Sequence, residues 1–223
     1  VIIVATWDDN TNQIFFDSTA FVDRQTSLFS LEYAPLNRFV DMIMKFCSAC
    51  GHPVVQKIPQ GDSRLRYVCE SCETIHYQNP HIICGCLPTW QDKVLLCKRG
   101  IEPRYGLWTL PAGFMENLET TQEGAARETW EEAHAKVKIG ELYCVFNIPQ
   151  ISQVYMMYRG EIIDGQFGVG EESIEVGLFD EESIPWDELA FASIKRTLRY
   201  FFADRKLGHF PVRVEDLVHG SRD

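Results

Sequence analysis

The 223-residue sequence has no apolar run of membrane-spanning length, no internal repeat and no low-complexity segment. The first absence argues against a helical membrane span, the second against solenoids and propellers, the third against a compositionally biased tail. Basic residues are scarce: 21 Lys and Arg face 32 Asp and Glu, for a formal charge of −11. A general nucleic-acid or anionic-membrane binder needs a basic face, so both classes are disfavoured. A phosphate-bearing substrate would also be repelled unless cations intervene. The opening "VIIVATWDD" lacks a basic flank and is interrupted by Asp8, so it makes a poor signal peptide. Methionine is missing before Met42 and Met44. Residues 1–41 therefore read equally as an upstream extension or as a plain N-terminal segment, and residues 1–43 carry no assigned role.

What is present is ordinary globular material, 45% apolar and 24% charged, enough for a medium domain and a small one. The eight cysteines are unevenly placed. Cys84, Cys86, Cys97 and Cys144 sit in apolar, strand-like segments and read as buried thiols. This usage points to a reducing compartment, and with no secretory signal or membrane span seen, a cytoplasmic location is expected. The other four form two CxxC pairs, Cys47/Cys50 and Cys69/Cys72, with 18 residues between the pairs. Two such knuckles can close a tetrahedral four-thiolate zinc site, structural rather than catalytic because no coordination position stays open. Gly51 follows the first pair, where the turn wants a permissive backbone. Glu73 in the equivalent place after the second pair is less typical.

Along the rest of the chain, "QIFF", "TAFV" and "SLFSLEY" suggest short N-terminal strands. "HIICGCLP" and "DKVLLCKR" read as a strand pair. Residues 100–119 are rich in Gly and Pro and read as one long loop, of a length that often carries function. A helix is expected over 121–133, strands near 136–148 and 153–163, a loop at "DGQFGVGEES", a strand at "IEVGLFD" and a helix over "SIKRTLRYFFADRKLG" ending at Gly208. The segment from 209 is expected to be a peripheral tail.

Within "RETWEEAHA", Glu128, Glu131 and Glu132 crowd the last two turns of the expected helix, where its dipole is negative. Thr120-x-x-Glu123 is a capping-box start. At about 100° per residue, Ala126, Trp130 and Ala133 form an apolar face to pack on a sheet, and the three glutamates fall on roughly the opposite face. Like charges at these spacings oppose one another by a few tenths of a kcal/mol each. A divalent cation offsets this, and Mg²⁺ prefers oxygen ligands.

Gly113, five residues, Glu119, seven residues, Arg127-Glu128, two residues, then Glu131-Glu132 form one spaced pattern. It resembles the signature of the Nudix hydrolases, G-x5-E-x7-R-E-U-x-E-E-x-G-U with U aliphatic, and the preceding "GLWTLPAGF" looks like the loop leading into it. Thr129 and Ala135 depart mildly at aliphatic positions. His134 replaces the final glycine, which implies left-handed backbone past the helix end at a modest stability cost. The resemblance implies an α+β fold: a Nudix α/β/α sandwich with a mixed sheet over residues 77–208, preceded by a small zinc-ribbon β module over 44–76 and followed by a tail over 209–223. It implies hydrolysis of a nucleoside diphosphate linked to another moiety. Glu128 and Glu132 would ligate Mg²⁺ or Mn²⁺, with Glu131 as a further ligand or water activator and the Ala112 carbonyl in reach. Arg127 would orient the carboxylates and Glu119 support the loop. The family often adds a carboxylate from a later loop, here Glu172 first, Glu175 second, with Glu171 beside them.

For the substrate, a zinc ribbon ahead of such a domain resembles two groups. The NADH pyrophosphatases carry a Ser-Gln-Pro-Trp segment that "NIPQISQVYMMY" lacks. "FCSACG", "YQNP", "KVLLCKR", "GLWTLPAGF" and "LAFASI" look like the FAD and ADP-ribose pyrophosphatases related to the plastid flavin enzyme. FAD, cleaved to AMP and FMN, is expected first and ADP-ribose next. An NADH or RNA-cap pyrophosphohydrolase and a non-catalytic nucleotide sensor are the rival readings. Tyr105, Trp108 and Phe114 are candidate ring-stacking residues. The expected partner is a small dinucleotide, with no membrane, nucleic acid disfavoured and a homodimer compatible.

Overall fold

The computed structural model describes residues 4–8, 13–17 and 44–218. The chain divides into two units, Val1–Asp41 and Met42–Asp223. In the first, β1 (Val4–Asp8) pairs antiparallel with β2 (Gln13–Asp17). The strand expected at "QIFF" is therefore present, whereas "TAFV" and "SLFSLEY" lie outside the described residues.

The second unit begins with a three-stranded antiparallel sheet, β3 (Val54–Lys57), β4 (Arg66–Cys69) and β5 (Ile75–His76). An eight-stranded mixed sheet follows. Its strands are β6 (His81–Trp90), β7 (Lys93–Arg99), β8 (Trp108–Thr109), β9 (Ala112–Phe114), β10 (Val137–Ile148), β11 (Gln153–Ile162), β12 (Ser173–Phe179) and β13 (Arg213–Asp216). The main path runs β12-β7-β6-β11-β10-β13, with β8 on β7 and β9 on β6. β6 and β11 are parallel, as are β10 and β13; the remaining pairs are antiparallel. Helices α1 (Thr121–Ala133) and α2 (Ala192–Leu207) complete the fold.

The period-two alternation of strand side chains sends each strand to both faces. Leu87, Val94, Leu96, Phe146 and Met157 pack with Ile194, Leu198, Phe201 and Phe202 of α2. Cys84, Cys86 and Tyr158 pack with Ala125 of α1, and Leu95, Cys97 and Ile162 with Ala133. The sheet is thus sandwiched between the helices, as expected, and the four strand cysteines are buried.

Two expectations are corrected. Residues 100–119 are not one loop, because backbone pairing of Trp108–Thr109 to β7 and of Ala112–Phe114 to β6 draws them into the sheet. The segment after Gly208 is not a peripheral tail. Gly208 ends α2 in left-handed backbone, but the chain returns as β13 along β10, and Phe210 packs on the core. Asp204 fastens this return. Its buried carboxylate accepts from Arg213 Nη1 and Nη2 at 2.6 and 2.7 Å and from the Tyr143 hydroxyl at 2.6 Å.

Removing Asp204 strands a guanidinium and a phenol together, a loss of roughly 3 kcal/mol. Asp204→Ala should therefore lower the melting temperature by roughly 5–10 °C; an unchanged transition would show that the tail packs without this fastening. The Arg213 hydrogen bonds hold the Asp204 carboxyl below the usual range. Its contribution is therefore full above the unfolded carboxyl value and lost only as pH falls through the lowered one.

Candidate active site

Helix α1 starts where its capping box dictates. The Thr120 hydroxyl accepts from Glu123 N–H at 3.2 Å, and the Glu123 carboxylate accepts from Thr120 N–H at 2.7 Å. It ends at His134, in left-handed backbone at φ 45°, as the replaced glycine implied. Its buried face differs from the expected one. Gly124, Ala125, Glu128, Thr129, Glu132 and Ala133 are buried, in two i, i+4 rows, while Trp130 is 47% exposed. Small side chains let the helix lie close to β6, so the bulky indole is turned outward and two carboxylates inward. Thr129, at a position the signature makes aliphatic, closes its hydroxyl onto the Ala125 carbonyl at 2.7 Å.

The inward carboxylates need room, and glycines supply it. A Cβ on Gly113 would stand 2.3 Å from the Glu128 carboxylate oxygens. On the other side, Gly168 and Gly170 donate their N–H groups to the carbonyls of Ala133 (2.7 Å) and Glu132 (3.1 Å), which the helix end leaves unpaired. A Cβ on Gly170 would meet the Glu131 carbonyl oxygen at 1.8 Å. This close seating brings the loop bearing Glu171 and Glu172 onto the end of α1.

Arg127 engages all five of its N–H donors. Nε and Nη2 grip Glu119 at 3.0 and 2.7 Å, Nη1 reaches Glu128 at 2.7 Å and Glu131 at 2.9 Å, and Nη2 also reaches the Phe114 carbonyl at 3.0 Å. Glu119 also accepts the Glu116 N–H at 2.7 Å, so it anchors the loop. The Arg127 hydrogen bonds hold the Glu119 carboxyl below its ordinary range. The same bonds, led by those to Glu119, raise Arg127 further still.

Glu132 has no such partner. It is 5% exposed, and its carboxylate accepts one long bond, from Ala112 N–H at 3.4 Å. Burial pushes its pKa up to about 8, and burial also raises Glu128. Glu128, Glu131, Glu132, Glu171 and Glu172 line one cavity of about 320 Å³, with Trp130 and His134 on its rim. Five carboxylates around one space, one of them buried and nearly unpartnered, are a donor set suited to a hard divalent cation. Their oxygens do not form a compact cluster like that of the cysteines; Arg127 holds two of the five instead.

The other candidate residues fare differently. Ala112 lies against Glu132 through its N–H. Glu175 is outside the cavity lining and pairs with Lys98 at 3.3 Å. Trp108 is a core residue, 6% exposed and edge-on to Phe179 at 4.9 Å, so its expected stacking role is corrected: the pairing of β8 to β7 buries the ring. Tyr105 and Phe114 are exposed but lie outside the lining. Trp130 and His134 were missed as lining residues. Helix angles alone place the indole on the expected core face; the small side chains that pack instead, Gly124 and Ala125, are the sequence signal for the other face.

The four Sγ atoms of Cys47, Cys50, Cys69 and Cys72 lie within 4.8 Å of one another. Both knuckles turn through positive φ, at Gly51 (75°) and Glu73 (59°). Hydrogen bonds from Thr74 hold the Cys72 thiol below its ordinary value, while the neighbouring thiols of Cys72 and Cys69 help hold Cys50 above its own, as sulfurs crowded into one space should. His76 Nε2 lies 3.3 Å from Cys47 Sγ.

The "Nudix N-terminal" zinc-ribbon family profile matches residues 45–78, and the NUDIX domain profile matches residues 80–203. An ADP-ribose pyrophosphatase of Methanocaldococcus jannaschii is 31% identical over 122 residues, 52% of this chain and 69% of that protein. An NAD-capped RNA hydrolase NudC of Salmonella paratyphi C is 33% identical over 143 residues, 63% of this chain and 53% of that protein. The chain therefore spans about half the length of that relative. A crystal structure of a NUDIX hydrolase from Nitrosomonas europaea is 53% identical with TM-score 0.74, covering 78% of this chain and all of that one.

Burial of Glu132 has a consequence for stability. Its folded pKa lies above the ordinary 4.5, at about 8. Between those values the native state retains a proton that the unfolded state has released, so stability falls as pH rises. Protein freed of loosely held divalent ions should melt lower at about pH 8 than at about pH 5. Added Mg²⁺ should close the gap, and Glu132→Gln should remove most of it, the remainder coming from the buried Glu128. Wild-type stability that is flat across this window would contradict the burial argument.

Proposed function

The chain belongs to the NUDIX domain family, and on that premise we propose that it hydrolyses the pyrophosphate of a nucleoside diphosphate-linked small molecule, FAD first and ADP-ribose next. Its domain and its hydrolase relatives support a Nudix pyrophosphohydrolase, and enzymes of this family use divalent metals. The observation that carries the reading is the cavity lined by Glu128, Glu131, Glu132, Glu171 and Glu172 beside the fully engaged Arg127.

Glu128 and Glu132 would hold Mg²⁺ or Mn²⁺, with Glu131 and the Ala112 carbonyl as further ligands. When bound, the ion neutralises the pyrophosphate and makes a nucleophile of water near neutral pH. Glu172, carried to the cavity by its loop, takes the proton from the attacking water, with Glu131 as the alternative base. Arg127 orients Glu128 and Glu131 through charge-assisted hydrogen bonds and leaves Glu132 free for the cation. Glu132 is an effective ligand because burial leaves it few competing partners. The four knuckle cysteines would bind a structural zinc, since four sulfurs at this spacing fill a tetrahedral shell. Four zinc-binding cysteines and four buried strand thiols, none paired in a disulfide, suit a reducing compartment such as the cytoplasm.

The rival reading, an NAD-capped RNA or NADH hydrolase, is favoured by the NudC relatives. It is disfavoured by the acidic charge and the missing Ser-Gln-Pro-Trp segment. A non-catalytic sensor is disfavoured by the complete set of carboxylates.

A panel of FAD, ADP-ribose, NADH, NAD, coenzyme A and capped RNA, each with Mg²⁺ or Mn²⁺ and with products resolved, tests the substrate. FAD should yield AMP and FMN; intact FAD alongside rapid turnover of another member would reject the first choice. Glu132→Gln should lower turnover by roughly a thousandfold, comparable to losing a principal electrostatic stabiliser, with the fold intact. Near-normal turnover would reject the ligand assignment. Elemental analysis should return zinc in the purified chain and none in Cys69→Ser.

A further inference from the structure

A second cavity, of about 380 Å³, adjoins the carboxylate cavity and shares Trp130 and His134 with it. Its remaining walls come from Lys136, just past α1, and from the loop bearing Asp164, Gln166 and Phe167. Trp130 is 47% and Phe167 38% exposed, and both line this cavity. The His134 ring lies 5.4 Å from the indole at a 44° tilt, and the Lys136 ammonium stands 5.9 Å from the indole centroid. Lys136 makes no salt bridge among the described residues; its ammonium lies over the indole at the end of a flexible side chain that an incoming ring can displace. The Asp164 carboxylate accepts the Gln166 N–H at 3.1 Å, which shapes the turn and presents the Gln166 amide at the wall.

We propose that this second cavity is a stacking subsite for a planar aromatic ring of the substrate, held on the face of Trp130. The inference rests on the pyrophosphohydrolase reading for its substrate, but not on which dinucleotide is preferred. A ring stacked on Trp130 lies one shared wall away from the carboxylates, the arrangement needed by a ring joined through a sugar to the scissile pyrophosphate. The indole offers a flat π-face that accepts any base or a flavin, and Gln166 offers one donor and one acceptor to the ring edge. Lys136 places positive charge where the sugar-phosphate would leave the cavity. The exposed indole, which contributes little to the core, thus gains a role in setting which ring-bearing substrate is favoured.

The test reads the Trp130 indole Nε1–H resonance, assigned by its disappearance in Trp130→Phe, as AMP, FMN or ribose 5-phosphate is added to the full chain. AMP or FMN, or both, should shift the resonance, and ribose 5-phosphate, which has no ring, should not. Which of the two ring-bearing ligands shifts it identifies the ring that is held. No shift with either, or an equal shift with ribose 5-phosphate, overturns the proposal. In kinetics on the best substrate of the panel, Trp130→Ala should raise KM about tenfold with kcat retained within a few-fold, the scale of one lost stack. Trp130→Phe should recover most of the loss. An unchanged KM in an enzyme that still turns over would reject the subsite while leaving the hydrolytic reading intact. Absence of all turnover in the wild type would reject that reading and leave the resonance experiment to decide the subsite.

Discussion

The site depends on one guanidinium. Arg127 ties Glu119 in the loop before α1 to Glu128 and Glu131 on the helix and to the Phe114 carbonyl on β9. Without it, three carboxylates would repel one another across a helix end whose dipole already disfavours them. With it, two are fixed in direction, while Glu132 is left buried and nearly unpartnered. The arrangement divides the three helix carboxylates into Glu128 and Glu131, which Arg127 holds, and Glu132, which is left with one long bond.

The surrounding fold serves this division. Gly124, Ala125 and Thr129 keep α1 close to β6, and Gly113 leaves space for the Glu128 carboxylate. Gly170 lets the following loop lie against the helix end, so its N–H closes an open carbonyl while Glu171 and Glu172 come to the cavity. On the proposed reading an acidic protein can handle an anionic substrate, because the carboxylates would gather a cation and the cation would admit the phosphates.

Much of this was legible in sequence because its signals are local. The capping box over Thr120 and Glu123, the left-handed stop at His134, the paired cysteine knuckles and the α2 stop at Gly208 are each written in a few neighbouring residues, and each is observed. What failed depends on contacts distant in sequence. Trp130 lay on a plausible apolar face, but which face of α1 is buried was decided by the steric room at Gly124 and Ala125 beside Cys84 and Cys86. Trp108 looked like a loop aromatic until backbone pairing with β7 buried it. The segment after Gly208 read as polar and loose because nothing in its own composition shows that Asp204 accepts two bonds from Arg213. The likeness of the site to the family signature was carried by residues spaced along one short stretch, whereas the second cavity comes from a loop and a helix end that only the fold brings together.

The central claim is that the Arg127-oriented carboxylates form a divalent-cation site. The most direct measurement is titration of Mn²⁺ followed by loss of its free-ion electron paramagnetic resonance signal, on the wild-type chain and on Glu128→Gln. The account predicts saturable binding by the wild type and at least a tenfold weaker affinity in the variant. Equal affinity in the two proteins, or no binding by either, would contradict it.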